Sequence, residues 1–497
     1  MRILGRRFPR VSAQLTLLFL GMAWLLAAAL LIGGETTAHG PEMATSLIAC
    51  NRVTLLVTVY VLSLSNLVHR FAWRYLEGES DPHRFLAHVS FATAAVVLFV
   101  LSGNLALLWG GWALGDWALL HLLAHPSPQF WRAAPSRRAT RLMILGNLAL
   151  GGAVAAAFLT DHTFSIAALV ARTTASGFFF PLLAFLLVLA LMVRSVQFPL
   201  HFWLVDTLDA PTPVSALMHA GLVNSGGLLV VKLAPLWNRI PGAFPVLFAI
   251  GLVTALFGHQ AMAVAPAIKQ RLVFSTVSQM GYMVMEAGLG LFPLVIWHLM
   301  AHGFYKATSF LHSGELTSPL PAHRHPGAGA WPIGIPALLL AILILVHKAH
   351  QAGQSPALWP FLLAFAVEAL VAIRLSHSLP RRKGLLVASL GVWSAGYFLA
   401  TREFSRVLAG VLPPAPSGLV GCDPLMLEVV LGLLLVGRLF SADARTPRLF
   451  SASAQRWRDA LYRWLLHAGF GGFPNPSALM PRNQPLASNT LRSLQRE

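Results

Sequence analysis

The segment VRSVQFPLHFWL, residues 193–204, lies inside an apolar stretch that runs from about residue 176 to 208. This stretch is too long for one straight helix across a hydrocarbon core of about 30 Å. Pro199 cannot donate a hydrogen bond to the carbonyl four residues earlier, so we predict that the helix is broken around Gln197 and Pro199. Backbone groups freed at membrane depth must face protein or water, and transporters bind ions at such breaks. Arg194 is therefore a candidate ion-pathway residue, although it would also fit a snorkelling or structurally paired arginine.

A second helix is predicted directly after this break. In the segment DAPTPVSALMHA, residues 209–220, Pro211 and Pro213 indicate a tight connection. Thr212 is the predicted N-cap, and Pro213 would occupy the first helical position, where its missing N–H has no consequence.

Two ionisable residues fall within this second helix. His219 would lie two turns inside it, and Lys232 lies further along. Both are candidates for an ion pathway, because ionisable groups at membrane depth are costly and normally face a protein interior or a wet cavity. For His219 the alternative is a hydrogen-bonded packing residue.

The segment HLMAHGFYKA, residues 298–307, places His298, His302 and Lys306 four residues apart in another apolar stretch. Four-residue steps rise about 6 Å and rotate about 40°, so the three groups share one stripe of one helix. Histidine titrates near neutral pH, so the stripe predicts a ladder of proton-exchanging groups. The alternatives are haem ligation by the histidines and a role in fastening helices together.

The whole composition indicates an all-α polytopic membrane protein. Of 497 residues, 56% are hydrophobic and 11% are charged, and the mean hydropathy is +0.67. We count about 14 stretches long enough to cross a bilayer, and the segments between them are too short for a soluble domain. The predicted spans are residues 12–33, 44–66, 86–104, 105–124, 141–160, 176–208, 213–235, 243–264, 272–290, 291–313, 332–349, 357–376, 384–401 and 423–441.

The net charge of +18 does not indicate nucleic acid, because the basic residues concentrate in alternate loops. That is the positive-inside pattern, and it predicts a cell inner membrane protein with both termini cytoplasmic. The basic groups include Arg2, Arg6, Arg7, Arg10, Arg70, Arg74, Arg84, Arg132, Arg137, Arg138, Arg141, Lys269, Arg271, Arg381, Arg382 and Lys383.

The chain divides into four predicted regions. Residues 1–85 would hold the N-terminal helices and a cytoplasmic loop, and residues 86–313 the core. Residues 314–450 would form C-terminal transmembrane helices, and residues 451–497 a basic cytoplasmic amphipathic helix and tail.

No cofactor or metal is expected in this chain. Cys50 and Cys422 are far apart, without the paired spacing that holds zinc or an iron–sulfur cluster. No glycine-rich phosphate-binding segment opens a helix, so energy must come from ion flow or from a partner.

The segments at 193–204, 211–220 and 298–307, with IKQRLVFSTVSQMGYM at 268–283, resemble in order the proton-translocating antiporter-like family. That family includes the L, M and N subunits of respiratory complex I and the Mrp antiporter subunits. The resemblance covers about residues 60–315 and implies two inverted five-helix repeats, each with a discontinuous helix. It assigns Arg194 to the position of the family's midplane lysine, and the ladder on residues 298–307 to its central proton relay.

Two departures from the family pattern stand out. The family's glutamate is replaced by Ala113 in GGWALGDW, residues 110–117, and Asp116, one turn later, is the expected substitute as the carboxylate partner of Arg194. A guanidinium effectively never loses its proton, so Arg194 would act as a fixed charge, as an electrostatic gate or in a structural ion pair.

The second departure is a shortened second half without a recognisable second broken helix. Lys348 is a possible stand-in for its lysine, although a loop fits that segment better. Glu286, Glu368 and Glu428 are weaker candidates, and Glu286 is expected near the outer end of a span, where water could solvate it.

With these two departures, the chain resembles the B subunit of the DAB inorganic carbon transporter. The resemblance implies a soluble, zinc-containing, carbonic-anhydrase-like A subunit (DabA-like) at the cytoplasmic face. Inward flow of protons or sodium ions through this chain would then drive hydration of CO2 to bicarbonate in the partner. The competing functions are a proton-pumping subunit of an NADH-quinone oxidoreductase or hydrogenase-like complex, and an Mrp-type cation/proton antiporter subunit.

Overall fold

The computed structural model describes residues 20–30, 47–79, 81–125, 134–171, 180–265 and 267–313, with residues 406, 408 and 469. Within these ranges the regular elements are all helical, which confirms the predicted all-α fold class. The helices are α1 (Leu20–Leu30), α2 (Arg52–Tyr75), α3 (Pro82–Leu101), α4 (Leu105–Leu123), α5 (Ala134–Asp161), α6 (Ile166–Ala171), α7 (Phe180–Arg194), α8 (Phe202–Val205), α9 (Thr212–Ala220), a 3-10 turn (Leu222–Asn224), α10 (Ser225–Lys232), α11 (Ala234–Arg239), α12 (Ala243–Val264), α13 (Ile268–Gly288) and α14 (Phe292–His312).

Five helical stretches in the described part of the chain are long and apolar enough to cross a membrane, and one of them, Thr212–Lys232, runs from α9 through the 3-10 turn to the end of α10. Large apolar side chains lie on the outer surface, such as Leu148, 67% exposed, and Phe185, 63% exposed, which suits contact with lipid acyl chains. The total of 14 spans stays a prediction, because the last four predicted spans lie outside the described residues. The same holds for Lys348, Glu368, Glu428, Cys422 and residues 451–468.

Helix α2 begins later and ends later than the predicted span at 44–66. Asn51 caps it, because its side chain accepts a hydrogen bond from the Thr54 N–H while the Thr54 hydroxyl accepts one from the Asn51 N–H, both at 2.9 Å. This capping box determines where the helix starts. Arg70 and Arg74, which were predicted in a loop, therefore lie in the last two turns of the helix.

The predicted break after Arg194 is confirmed, since α7 ends at that residue and α8 begins at Phe202. The carbonyl of Ser195, which Pro199 cannot reach, accepts a hydrogen bond from Nε2 of Gln197 at 2.6 Å. Trp203 Nε1 donates to the carbonyl of Val193 at 2.7 Å. The break is therefore bridged by its own side chains, which satisfies the freed backbone acceptors without water.

The following helix starts one residue earlier than predicted. Pro211 takes the N-cap position without a side-chain hydrogen bond, Thr212 is the first helical residue, and Pro213 follows within the first turn. The prediction of Thr212 as N-cap was wrong, because the rigid extended backbone of Pro211 already terminates the connection.

That helix also carries an interruption that the sequence did not predict. Helix α9 ends at Ala220, and the 3-10 turn separates it from α10. The sequence HAGLVNSGG, residues 219–227, contains the signal, because Gly221, Gly226 and Gly227 weaken a helix and Asn224 competes for backbone hydrogen bonds.

The backbones of helices α12 and α13 approach each other closely at four glycines. Gly251 and Gly258 on α12, and Gly281 and Gly288 on α13, are each seven residues apart. A Cβ atom at any of the four would overlap backbone atoms of the facing helix. Small residues at this spacing let membrane helices approach closely, and here they hold the helix that carries most contacts to the candidate site.

Candidate ion pathway

Arg194 and Asp116 form a buried ion pair between the end of α7 and the middle of α4. Nη1 of Arg194 contacts Oδ1 of Asp116, and both residues are 5% exposed. Asn147 on α5 donates from Nδ2 to the other carboxylate oxygen at 3.2 Å. The guanidinium also lies over the Trp112 ring, 4.6 Å from its centroid. The carboxylate that replaces the expected glutamate at Ala113 is thus present, one turn along α4.

The pair is connected to the 3-10 turn through Ser225. Nε of Arg194 donates to Oγ of Ser225 at 2.8 Å, and that hydroxyl donates to the carbonyl of Leu222 at 2.5 Å. Gly226 leaves the room that Ser195 occupies, because a Cβ there would overlap Oγ of Ser195. The two interrupted helices therefore contact each other at their interruptions. A rearrangement of the ion pair would displace residues of both helices.

His302 and Lys306 lie buried on one stripe of α14, as the spacing predicted. His302 is 5% exposed and Lys306 is 0% exposed. Nζ of Lys306 donates to the carbonyl of Leu272 on α13 at 2.8 Å. Nε2 of His302 is buried and has no hydrogen-bond partner within the described part of the chain. An unpartnered ring nitrogen at this depth is able to accept a proton without first losing a bond.

His298 occupies the end of the same stripe that is nearest the α13–α14 turn. Its Nδ1 lies 3.0 Å from both carboxylate oxygens of Glu286, and its Nε2 lies 2.9 Å from Oε1 of Gln279. Glu286, expected near the outer end of a span, has a side chain that is 15% exposed and partly covered by His298. Both nitrogens of His298 are engaged, which leaves neither available to a haem iron.

His219 approaches the ladder from α9. Its ring stacks on Phe310 with 4.2 Å between centroids, and its Nδ1 lies 3.0 Å from Oγ1 of Thr276. His302 lies within electrostatic range of His298, Lys306 and His219. The structure therefore brings four of the six basic groups of the predicted pathway to one side of α13, namely His219, His298, His302 and Lys306.

A polar node that sequence reasoning missed joins the 3-10 turn to the ladder helix. The carbonyl of Ala220, freed where α9 ends, accepts hydrogen bonds from the Tyr60 hydroxyl at 2.5 Å and from Nδ2 of Asn224 at 2.6 Å. Asn224 also donates to the carbonyl of Leu299 on α14 at 3.3 Å. Gly303 leaves the space that the Tyr60 hydroxyl fills. Polar contacts thus extend from Arg194 through residues 220–225 to α14.

Lys232 lies apart from the ladder. Its Nζ donates to the carbonyls of Val100 and Ser102 at 2.7 and 2.9 Å, where α3 ends. A cation at a helix C-terminus satisfies unpaired carbonyls and interacts favourably with the helix dipole. Lys232 therefore has an evident structural contact, and its place in an ion pathway stays a prediction.

The arrangement suits movement of a small cation better than binding of a metal. Among the described residues, no group of three or more His, Cys, Asp or Glu side chains is placed to hold a metal ion. The site instead contains one fixed, paired cation and a separate row of groups able to gain and lose protons, which is the chemistry of a proton relay. The ionic roles of the individual residues stay predictions.

The part of the chain that holds this arrangement matches a known protein family. Residues 102–325 match the family described as NADH:quinone oxidoreductase/Mrp antiporter, transmembrane region. That range includes the Arg194–Asp116 pair, the 3-10 turn and the whole ladder.

Three curated relatives are similar over longer stretches. Probable inorganic carbon transporter subunit DabB1 of Halothiobacillus neapolitanus is 34% identical over 339 residues, covering 65% of this chain and 59% of that protein. Subunit DabB2 of the same organism is 29% identical, covering 91% of this chain and 85% of that protein. NADH-quinone oxidoreductase subunit L of Mycobacterium tuberculosis is 30% identical, covering 79% of this chain and 62% of that protein. The chain thus spans about three fifths of the length of two of these relatives.

The fold is also similar to a solved structure. A chain in the structure of the Mrp complex from Dietzia sp. DQ12-45-1b superposes with a TM-score of 0.61 at 20% identity, covering 99% of this chain and 60% of that chain. This is a multi-pass membrane protein with the antiporter fold, and its residues 102–325 match the transmembrane family of NADH:quinone oxidoreductase and Mrp antiporter subunits.

Proposed function

We propose that this chain is the cation-conducting membrane subunit of an inorganic carbon transporter, and that the conducted ion is the proton. The observation that carries the proposal is the row of His302 and Lys306, buried on α14 beside His219 within the family-matching region. The names of the two Halothiobacillus neapolitanus relatives support the transport of inorganic carbon.

The proposed conduction uses two kinds of cationic group. Histidine and lysine side chains in the ladder exchange protons, whereas the Arg194 guanidinium keeps its charge. Arg194 therefore acts as a gate through its electric field. When Asp116 neutralises it, a proton on the ladder meets less repulsion than when the pair opens. The Ser225 hydroxyl and the Ala220–Asn224 node are the contacts through which such opening would reach α14.

The energy of ion flow is proposed to be used by a partner. We propose a large soluble zinc-containing, carbonic-anhydrase-like subunit at the cytoplasmic face, where inward ion flow makes CO2 hydration to bicarbonate one-way. In this arrangement the chain itself is not an enzyme and holds no cofactor. It lies in the cell inner membrane with both termini cytoplasmic, in agreement with the positive-inside pattern.

The second candidate is a proton-pumping subunit of a redox-driven complex. The 30% identity to NADH-quinone oxidoreductase subunit L favours this alternative. An Mrp-type antiporter subunit is a third candidate, which the similarity in fold favours. Replacement of the expected glutamate by Ala113 disfavours both.

Purification of the tagged chain from its native membrane separates these candidates. Mass spectrometry of the complex, with metal analysis, is expected to find one large zinc-containing partner in stoichiometric amount. Flavin or iron–sulfur proteins in the eluate would refute carbon transport and support the redox pump, and other Mrp subunits would support the antiporter.

Growth of variants at low CO2 tests the ladder itself. His302→Ala and Lys306→Ala are expected to require added CO2. His312→Ala is the matched control, because His312 lies on the same helix but is exposed, and it should grow as wild type. Wild-type growth of both ladder variants would show that α14 does not conduct.

A further inference from the structure

An acid–base cluster of Glu286, His298 and Gln279 lies where α13 meets α14, outside the buried part of the ladder. Glu286 and Gln279 are seven residues apart on α13 and therefore share one face of that helix. His298 on α14 lies between them, with Nδ1 on the carboxylate of Glu286 and Nε2 on the amide oxygen of Gln279.

The hydrogen-bond partners determine which protons this cluster carries. When Glu286 is a carboxylate, its oxygens and the amide oxygen of Gln279 only accept hydrogen bonds, so each ring nitrogen of His298 then donates. A ring with two N–H groups is an imidazolium cation, and beside the ionised Glu286 it forms a neutral ion pair. His302 is different, because its Nε2 has no hydrogen-bond partner among the described residues and is free to accept a proton.

Exposure decreases from this cluster into the bundle. The side chains of Glu286 and His298 are 15% and 14% exposed, whereas His302 and Lys306 are 5% and 0% exposed. Lys269 lies in the first turn of α13, about 25 Å from Glu286 along the helix axis. The cluster therefore lies near the membrane face opposite the basic end of α13, at the accessible end of the ladder.

We propose that Glu286 is the proton-transfer residue at the mouth of the pathway, exchanging protons with water at this membrane face and passing them through His298 to His302. The inference rests on the proposed function, since it supplies the ladder with an entrance. Gln279 is a positioning residue, because its amide holds the ring of His298 against the carboxylate.

Each transfer balances in protons and charge. A hydronium ion protonates the Glu286 carboxylate and is released as water. His298 has then lost its counter-ion and gives one proton towards Nε2 of His302. The two ring centroids are 6.0 Å apart, a gap that one water molecule can bridge. The proton that leaves is the one on Nε2, so the neutral ring keeps its Nδ1 proton. When the ring rotates and presents the vacant Nε2 to Glu286, Glu286 returns its proton there, and rotation back restores the ion pair. The reverse sequence releases a proton.

The test is proton flux into proteoliposomes that contain the full-length chain with the partner that co-purifies from the native membrane. Glu286→Gln keeps the shape of the side chain but removes its charge, and it is expected to lower flux on the order of 100-fold. Glu286→Asp should retain most of the flux. Glu77→Gln, which removes an exposed carboxylate between α2 and α3, is the matched control and should not change it.

A mobile buffer distinguishes a proton mouth from a merely structural carboxylate. Imidazole added on the exposed side delivers protons directly to His298, so it should restore part of the flux of Glu286→Gln. It cannot restore a chain whose packing has failed, and equal yield and elution volume of the variant complex check that packing.

The outcomes separate this inference from the proposed function. If Glu286→Gln conducts within about twofold of wild type while His302→Ala is inactive, protons do not enter at Glu286, but the proposed conduction along α14 is retained. If the Glu286→Gln complex is folded but imidazole does not restore its flux, the proposal that protons enter through Glu286 is also refuted. If the wild-type complex carries no proton flux at all, the proposed function fails, and this inference fails with it.

Discussion

The ion pair between Arg194 and Asp116 allows a quantitative prediction, since both partners are buried and each has few other contacts. In Arg194→Gln, the Asp116 carboxylate would keep one hydrogen bond, from Asn147 at 3.2 Å. Removing one partner of a buried pair leaves an uncompensated charge, which costs about 3–5 kcal/mol. We expect a loss of this size in the free energy of unfolding.

The reciprocal change should cost somewhat less. In Asp116→Asn, the guanidinium keeps its hydrogen bond to Ser225 and its position over the Trp112 ring. A cation over an aromatic ring gains up to about 2 kcal/mol when water is excluded, so the expected loss is near 3 kcal/mol. The double variant removes both charges, and it should be no less stable than the weaker single variant.

Reversible unfolding in detergent gives the three free energies for a double-mutant cycle. The expected coupling between positions 116 and 194 is about 3 kcal/mol. Losses that add to within about 0.5 kcal/mol would mean that the two side chains do not interact, and the reasoning would be refuted. Arg74→Gln removes an exposed arginine near the end of α2 and should leave stability unchanged.

The same pair has a functional consequence. Arg194→Ala is expected to abolish proton flux in proteoliposomes, because without Arg194 there is no ion pair whose opening and closing could be passed through Ser225 and Asn224 to α14. Retained flux in a folded Arg194→Ala complex would overturn the gating role and leave the pair with a structural one.

Three further substitutions test the surrounding structure. Gly281→Ala should prevent close packing of α12 on α13 and lower the yield of folded protein in size-exclusion chromatography, while Gly110→Ala, which meets open space, should not. Lys232→Met removes two charged hydrogen bonds at the end of α3 and should lower the free energy of unfolding by about 1.5–3 kcal/mol; an unchanged value would show that these bonds contribute nothing. Arg138→Met removes the bidentate partner of Asp206, which lies just after the broken helix. It should lower the free energy of unfolding by about 2–3 kcal/mol, less than for a fully buried pair because the arginine side chain is 32% exposed. Both losses can be measured by detergent unfolding, and a stable Arg138→Met would mean that the second half of the broken helix is held by packing alone.

Local chemistry explains what was correctly predicted. Membrane insertion follows from runs of apolar residues, the break after Arg194 follows from Pro199, and the stripe from His298 to Lys306 follows from helical period. Each of these depends on residues within a few turns of one another. Resemblance to a family then supplied the expected carboxylate partner for Arg194.

Short-range signals also explain the errors. The start of α2 was misplaced because apolar residues precede the Asn51 capping box, and the interruption at residues 221–225 was missed because its glycines also suit a tightly packed helix.

The sequence by itself determined that this chain is a helical membrane protein, where one of its helices breaks, and that three basic groups share a stripe of α14. Only the tertiary structure decided the partners of this stripe, which are Glu286 for His298 and the carbonyl of Leu272 for Lys306. The physical reason is range. Backbone breaks and helical stripes are determined by neighbours along the chain, whereas an ion pair depends on how helices distant in sequence pack, and that packing depends on the whole set of buried contacts at once.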